Sequence, residues 1–251
     1  MHYRTIQVDS TPNACTIELL HPRGSAHISA TMVHELACAL DACEGQVPVV
    51  VLKGGADVFC LGADFDALAA DGAAAAVDPQ ALYALWRRLA RSPFVSIAQV
   101  RGKAQAGGVG FVAACDIALG HPQAEFTLSE LLFDLFPACV LPFLIRRIGT
   151  QKAHYMTLTT LPVPARQAVS WGLLDAVDED VGALLRRHLL RLRHLSVPAI
   201  ARYKQYAQAL DPLPEQAMEG AIAANRGLFG DAGNLRKIRR FVETGRLPWD
   251  T

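Results

Sequence analysis

Two short runs open the chain with apolar and polar residues interleaved, TIQV at 5–8 and CTIELL at 15–20, and both predict strands. From Ser29 the apolar spacing changes to three and four, so SATMVHELACALDACE predicts a helix. VPVVVLKGG is a β-branched run ended by glycines, which predicts a buried strand followed by a loop. FCLGADFDALAA then reads as a tight turn into a helix that begins at or just after Ala63. ADGAAAAVDP carries little pattern and is expected to be a mobile surface segment. ALYALWRRLARS predicts a helix stopping before Pro93, FVSIAQV a second buried strand, AGGVGFVAA a glycine-led helix and CDIALG a further strand. Short helices and turns are expected over EFTLSELLF, PACVLPFLIRRIG and TQKAHYMTLTT. Strand–helix alternation to about residue 178 implies an α/β core over 1–178. From Asp180 the pattern is almost purely helical and charged, so 179–251 is expected to be a helical C-terminal region of the same functional unit.

Charge changes this picture little. Lys+Arg and Asp+Glu are 24 each, giving no net charge among 251 residues and no global pull toward nucleic acid or an anionic membrane. No apolar run approaches the ~20 residues that span a bilayer. MHYRTIQVDS lacks the charged start and apolar middle of a signal peptide, so a cytoplasmic protein is expected. Its six cysteines form no C-x-x-C pair and sit in apolar company, as in VFCLGA, which points to free buried thiols. The eight histidines are scattered, with no H-E-x-x-H, and no metal site is expected.

Chemistry concentrates in three segments. Phe59-Cys60-Leu61-Gly62-Ala63-Asp64 ends a strand and opens a helix, where unpaired N–H groups can hold a developing oxyanion; an ordinary turn with Asp64 as the cap is the rival. Arg101-Gly-Lys-Ala-Gln-Ala-Gly107-Gly108-Val-Gly110 also follows a strand and opens a helix, and its glycines would let a substrate approach the backbone. It is neither G-x-G-x-x-G nor a P-loop. Phe126-Thr127-Leu128-Ser129-Glu130 matches a capping box, T-x-x-E. The alternative sets Glu130 in an apolar pocket where Leu131, Leu132, Phe133 and Phe136 would desolvate it and raise its pKa for acid–base work.

Together, a G-A-D turn, about 44 residues on a Gly-Gly helix start, and about 23 residues further a lone Glu resemble the crotonase (enoyl-CoA hydratase/isomerase) superfamily. HPRGSAHISATMVHEL, CDIALGHPQAEFTLSEL and ARQAVSWGLLDAVDE are similar to further family segments, so the likeness covers nearly the whole chain. It implies a β-β-α spiral core and an enolate held by the N–H groups of Ala63 and Gly107. Gly62, Asp64 and Gly108 would border the substrate. Of the two carboxylates that serve in family hydratases, one falls on Glu130; Gly110 stands where the other would fall, which speaks against ordinary two-glutamate hydration. Ala26 stands where the family has an asparagine.

RGKAQAGGVGFVAACDIAL, SELLFDLFPACVLPFLIRRIG and RRFVETGRLPW are closest to the dehydratases of polyketide β-branching cassettes. That likeness implies removal of water from 3-hydroxy-3-methylglutaryl on an acyl carrier protein, giving a 3-methylglutaconyl thioester. No cofactor is expected beyond the phosphopantetheine or CoA that carries the substrate. Lys103 and Gln105, read as loop residues before Gly107, are candidates to meet the terminal carboxylate. Arg236, Lys237, Arg239 and Arg240 are candidates to dock the acidic carrier, against a solvated helix face or a subunit contact. A homotrimer or dimer of trimers is expected from the resemblance. Two alternatives are a general enoyl-CoA hydratase or isomerase and a catalytically silent thioester-binding scaffold.

Overall fold

The computed structural model describes residues 3–20 and 27–250; Ala26 lies outside them. β1 (Ile6–Ser10) and β2 (Cys15–Leu19) pair antiparallel, and α1 (Ala30–Cys43) follows, capped by the Ser29 side chain on Met32 N–H. Two strands of unlike destination come next: β3 (Val49–Lys53) joins β2, whereas β4 (Val58–Cys60) starts a second sheet. After α2 (Phe65–Asp71) and α3 (Pro79–Arg91) the same step repeats, with β5 (Val95–Val100) beside β3 and β6 (Lys103–Gln105) beside β4. α4 (Gly107–Ala114) leads to the third step, β7 (Ile117–Gly120) on β5 and β8 (Glu125–Thr127) on β6.

These successive parallel additions build the expected β-β-α spiral. Among the described residues one sheet has six strands and the other four. β3 is a continuous apolar run because both its faces are covered: Val49 and Val51 belong to one buried cluster, Val50 and Leu52 to another. Beyond β8 come α5 (Leu141–Ile148), α6 (Thr150–Thr159), β9 (Val163–Pro164), α7 (Ala165–Trp171) and β10 (Ala176–Val177).

The chain closes with α8 (Val181–Leu192), α9 (Val197–Leu210), α10 (Leu213–Gln216), α11 (Met218–Gly230) and α12 (Ala232–Thr244). These helices are tied into the core by polar contacts as well as apolar ones. Lys204 is buried, and its Nζ donates to Phe94 O at 2.9 Å and to Asp116 Oδ2 at 2.8 Å. Arg91 grips both Glu215 oxygens at 3.0 and 3.1 Å, and the Tyr83 hydroxyl donates to Pro214 O at 2.5 Å. Among the described residues no helix is long and apolar enough to cross a membrane.

Candidate active site

The Gly62 and Gly107 turns touch each other. Gly62 has φ +79°, and a Cβ there would lie 2.7 Å from the Ala106 Cβ and 3.1 Å from Gly107 N. Both the conformation and the close approach require glycine. Gly108 is under a like constraint, since a Cβ there would lie 2.2 Å from Cys60 O. Ala106 carries φ 49°, costly for any residue with a Cβ, and is held there by donating to Thr127 O at 2.9 Å while its own carbonyl accepts from Val109 at 2.9 Å. That geometry sets the direction of the next peptide, Gly107.

Neither the Ala63 N–H nor the Gly107 N–H finds an acceptor among the described residues. For Gly107 the reason is the one expected, the first turn of α4. For Ala63 it is different. α2 starts only at Phe65, with Asp64 as its cap accepting from Ala67 N–H at 3.0 Å. Ala63 therefore lies ahead of the helix, in a bridge with Ile28, whose N–H donates to Gly62 O at 2.7 Å. The Asp64 cap read from sequence is present, and the same side chain borders the cavity described next.

The turns open onto a cavity of about 590 Å³ whose lining includes Ala63, Asp64, Gln105, Gly107 and Glu130. That is ample for an acyl group and the end of a pantetheine arm. Glu130 opens a short 3-10 turn at 130–133. The capping box does not form: Thr127 belongs to β8, and the turn begins at Ser129 without a side-chain cap. Glu130 Oε2 is covered and accepts no hydrogen bond among the described residues. Burial pushes its carboxyl from 4.5 up to about 7, and the nearby backbone N–H groups of Glu130 and Ser129 offset only part of that rise. The desolvating wall contains Leu132, Phe133 and Phe136 as expected, but not Leu131.

Other expectations need correction. Lys103 is not a loop residue: it lies in β6, is exposed, and is not part of the cavity lining, while Gln105 from the same strand is. Residues 70–79, expected to be a mobile surface segment, also contribute to the site, since Ala75, Ala76, Val77 and Pro79 line the cavity. α12 closes the site as well, through Phe241 and Val242. Three of its four basic residues are engaged within the chain: Lys237 pairs with Asp134, Arg239 donates to Ala69 O at 3.0 Å, and Arg240 donates to Asp250 O. Arg236 has no such contact among the described residues.

Sequence reading also missed His27 and Trp86. Both line the cavity, and His27 Nδ1 and Trp86 Nε1 lack hydrogen-bond partners among the described residues. With Glu130 Oε2 they are the buried side-chain atoms of which this is true, so every such atom belongs to a residue of one cavity. Among the described residues no cluster of three or more His, Cys, Asp or Glu side chains could hold a metal.

The family described as "Enoyl-CoA hydratase/isomerase" matches residues 10–251. The chain belongs to this family. It is 48% identical over 252 residues to the bacillaene synthase dehydratase PksH of Bacillus subtilis, covering 99% of this chain and 97% of the relative. It is 31% identical to 2,3-dehydroadipyl-CoA hydratase of Escherichia coli over 79% of this chain and 76% of that one. A crystal structure of the polyketide biosynthesis enoyl-CoA hydratase PksH of B. subtilis superposes with a TM-score of 0.94 at 47% identity, over 98% of this chain and all of the other. The protein is thus an enzyme of the crotonase family and of the hydro-lyase type, more similar to the polyketide dehydratase than to the E. coli hydratase.

Proposed function

We propose that this enzyme removes water from 3-hydroxy-3-methylglutaryl carried on an acyl carrier protein, leaving a 3-methylglutaconyl thioester. The observation that carries the chemistry is the buried Glu130 carboxyl, raised to a pKa of about 7 and with Oε2 unpartnered among the described residues, in one cavity with two turns whose Ala63 and Gly107 N–H groups have no acceptor among those residues. Support for the carrier comes from the PksH likeness, a dehydratase of a polyketide synthase by name.

Each step assigns work to a group of this chain. The thioester oxygen sits against the Ala63 and Gly107 N–H groups, each contributing about 3 kcal/mol once negative charge develops there. Glu130, ionised near neutrality, takes a proton from the carbon between thioester and carbinol. The electron pair passes into the carbonyl and forms the enolate. When that pair returns it makes the new double bond and expels the hydroxyl. Glu130 hands its proton to that hydroxyl, so water leaves and the carboxylate is restored. With Gly110 rather than a carboxylate on α4, one acid–base group serves both transfers.

A glutaryl tail brings a second negative charge, and Lys103 is not among the cavity's lining residues to meet it. His27 is the one side chain able to carry positive charge among the described residues of the lining. It replaces Lys103 as the partner for the terminal carboxylate. His27→Phe should raise KM by about ten-fold for the carboxylated acyl chain, in line with loss of one charged hydrogen bond. A 3-hydroxybutyryl thioester, which lacks the carboxylate, should be unaffected. Equal losses on the two substrates would remove His27 from this role.

Mass spectrometry tests the proposal directly: 3-hydroxy-3-methylglutaryl carrier protein should lose the mass of one water on incubation with enzyme. No loss, together with turnover of the same acyl group on CoA, would move the assignment to a CoA-dependent hydratase. No turnover of either substrate would favour the silent scaffold. For docking, reversing Arg236 alone isolates a basic residue with no hydrogen bond or ion pair among the described residues. Arg236→Glu should raise KM for carrier-bound substrate about three-fold at low salt and leave a pantetheine thioester unaffected. An unchanged KM would place the carrier elsewhere. A homo-oligomer would cover Tyr155, Leu158 and Leu161, which are 47%, 59% and 56% exposed on and just after α6.

A further inference from the structure

Gly110 leaves a vacancy in the expected chemistry, and Trp86 fills it in space. A Cβ at Gly110 would lie 2.6 Å from Trp86 Cζ2, 2.8 Å from Cη2 and 2.9 Å from Cε2. The three near-equal distances set the benzo part of the indole face-on against the side of α4 from which a side chain at 110 would project. Cε2 is bonded directly to Nε1, so the N–H lies beside this contact and in the plane of the ring.

Trp86 is 1% exposed and clasped by Phe111 and Phe143, with ring centroids 5.8 and 6.0 Å away at near-perpendicular angles. The ring has little freedom to turn its N–H elsewhere. Yet Nε1 has no acceptor among the described residues, although a buried donor left unpaired is costly and rare. The same ring forms part of the cavity wall. A buried, immobile, unsatisfied donor bordering a substrate cavity is the mark of a group whose partner is the ligand.

Resting on the dehydratase reading above, we propose that Trp86 is a substrate-binding catalytic residue whose indole N–H donates a hydrogen bond to the 3-hydroxyl oxygen, the leaving group. The indole is neutral and does not surrender its proton at any pH the protein survives. It holds the hydroxyl oxygen in place and stabilises charge gathering there as the C–O bond breaks. The proton that completes the departing water comes from Glu130. The unsaturated product has no oxygen at that carbon and forfeits the bond, so it is held less tightly than the substrate.

Paired ligands provide the test. Carrier protein bearing the 3-hydroxy-3-methylglutaryl group and carrier bearing the 3-methylglutaconyl group differ by the hydroxyl. The equilibrium affinity for the hydroxylated ligand is measured in the inactive Glu130→Gln background, which prevents turnover. Trp86→Phe in that background should weaken the hydroxylated ligand about five- to ten-fold and leave the unsaturated one unchanged, as expected for one neutral hydrogen bond. In the otherwise native enzyme kcat should fall by at least the same factor. Equal weakening of both ligands, or of neither, would overturn the proposal. Should Trp86→Phe not fold, the Nε1–H resonance of Trp86 in the ¹⁵N-labelled Glu130→Gln protein is read instead, identified by elimination with Trp171→Phe and Trp249→Phe. It should move downfield with the hydroxylated ligand only; the same position with both ligands would refute the bond. Absence of dehydration by the native enzyme would instead indict the underlying reading, so the two failures are separable.

Discussion

Glu130→Gln should lose at least about 10²-fold in turnover, because an amide neither takes the α-proton nor returns one to the hydroxyl. Its stability should move in a direction that distinguishes catalysis from architecture. The folded pKa of Glu130 is raised from 4.5 to about 7, so folding favours the protonated form. The stability this group lends is complete below its unfolded pKa and declines as pH rises through about 7. Above that, the ionised carboxylate is a burden of at most about 3 kcal/mol that glutamine does not carry. The variant should therefore melt with the native enzyme near about pH 4 and above it near about pH 8. A carboxylate serving as a helix cap would give the reverse, with the loss greatest at alkaline pH. Turnover within two-fold of native would remove Glu130 from the mechanism; a lower melting temperature at alkaline pH would reassign it to structure.

The same pKa shapes activity. If ionised Glu130 removes the α-proton, kcat/KM on free enzyme should rise with pH through about 7 and flatten above it. A carboxyl whose Oε2 accepted a hydrogen bond would have its rise much lower. The missing partner is thus a kinetic feature, visible in the pH profile.

Much of this was legible in the chain because the relevant constraints are local. VPVVVLKGG and FVSIAQV had to be buried strands, as their apolar runs leave no polar face. Glycines at 62, 107 and 108 announced close backbone contacts, and the structure shows what they approach. The β-β-α repeat was expected from the family resemblance alone and not from periodicity, because its steps share topology and not sequence: β4, β6 and β8 are three residues each and too short for periodicity to register. T-x-x-E misled for a physical reason. A capping box needs Thr127 at a helix terminus, and pairing with Gln105 keeps Thr127 in β8 instead. The basic run of α12 also drew attention away from the helix's other side, where Ile238 and Phe241 pack beside Phe133 next to the site. His27 and Trp86 carried no signal, for their meaning lies in partners they lack.

Restoring the carboxylate that Gly110 replaces should not create a two-glutamate hydratase. Gly110→Glu places its Cβ 2.6 Å from the Trp86 ring, closer than unbonded carbons come. Trp86 is wedged against Phe111 and Phe143, so relief requires either that α4 shift or that the indole leave its place. Overpacking of this kind costs about 1–3 kcal/mol, and the extra carboxylate would be buried without a partner, which adds to it. For a chain of this length each kcal/mol is worth about 2–4 °C, so a fall in melting temperature of about 5–10 °C or more is expected. Because α4 carries Gly107 at its first position, turnover should fall with stability. Gly110→Ala is the milder probe: it introduces the clash without the charge, and should lose stability in the same direction by less. Space for a second glutamate would have to be made by removing the indole, as in Trp86→Ala with Gly110→Glu. That double variant should be more stable than the sum of its parts by roughly 1 kcal/mol or more, the coupling expected of residues in contact. Additive losses would show that Gly110 and Trp86 do not constrain one another. Gly110 would then be a mere gap in the active site, unconnected to the ring beside it.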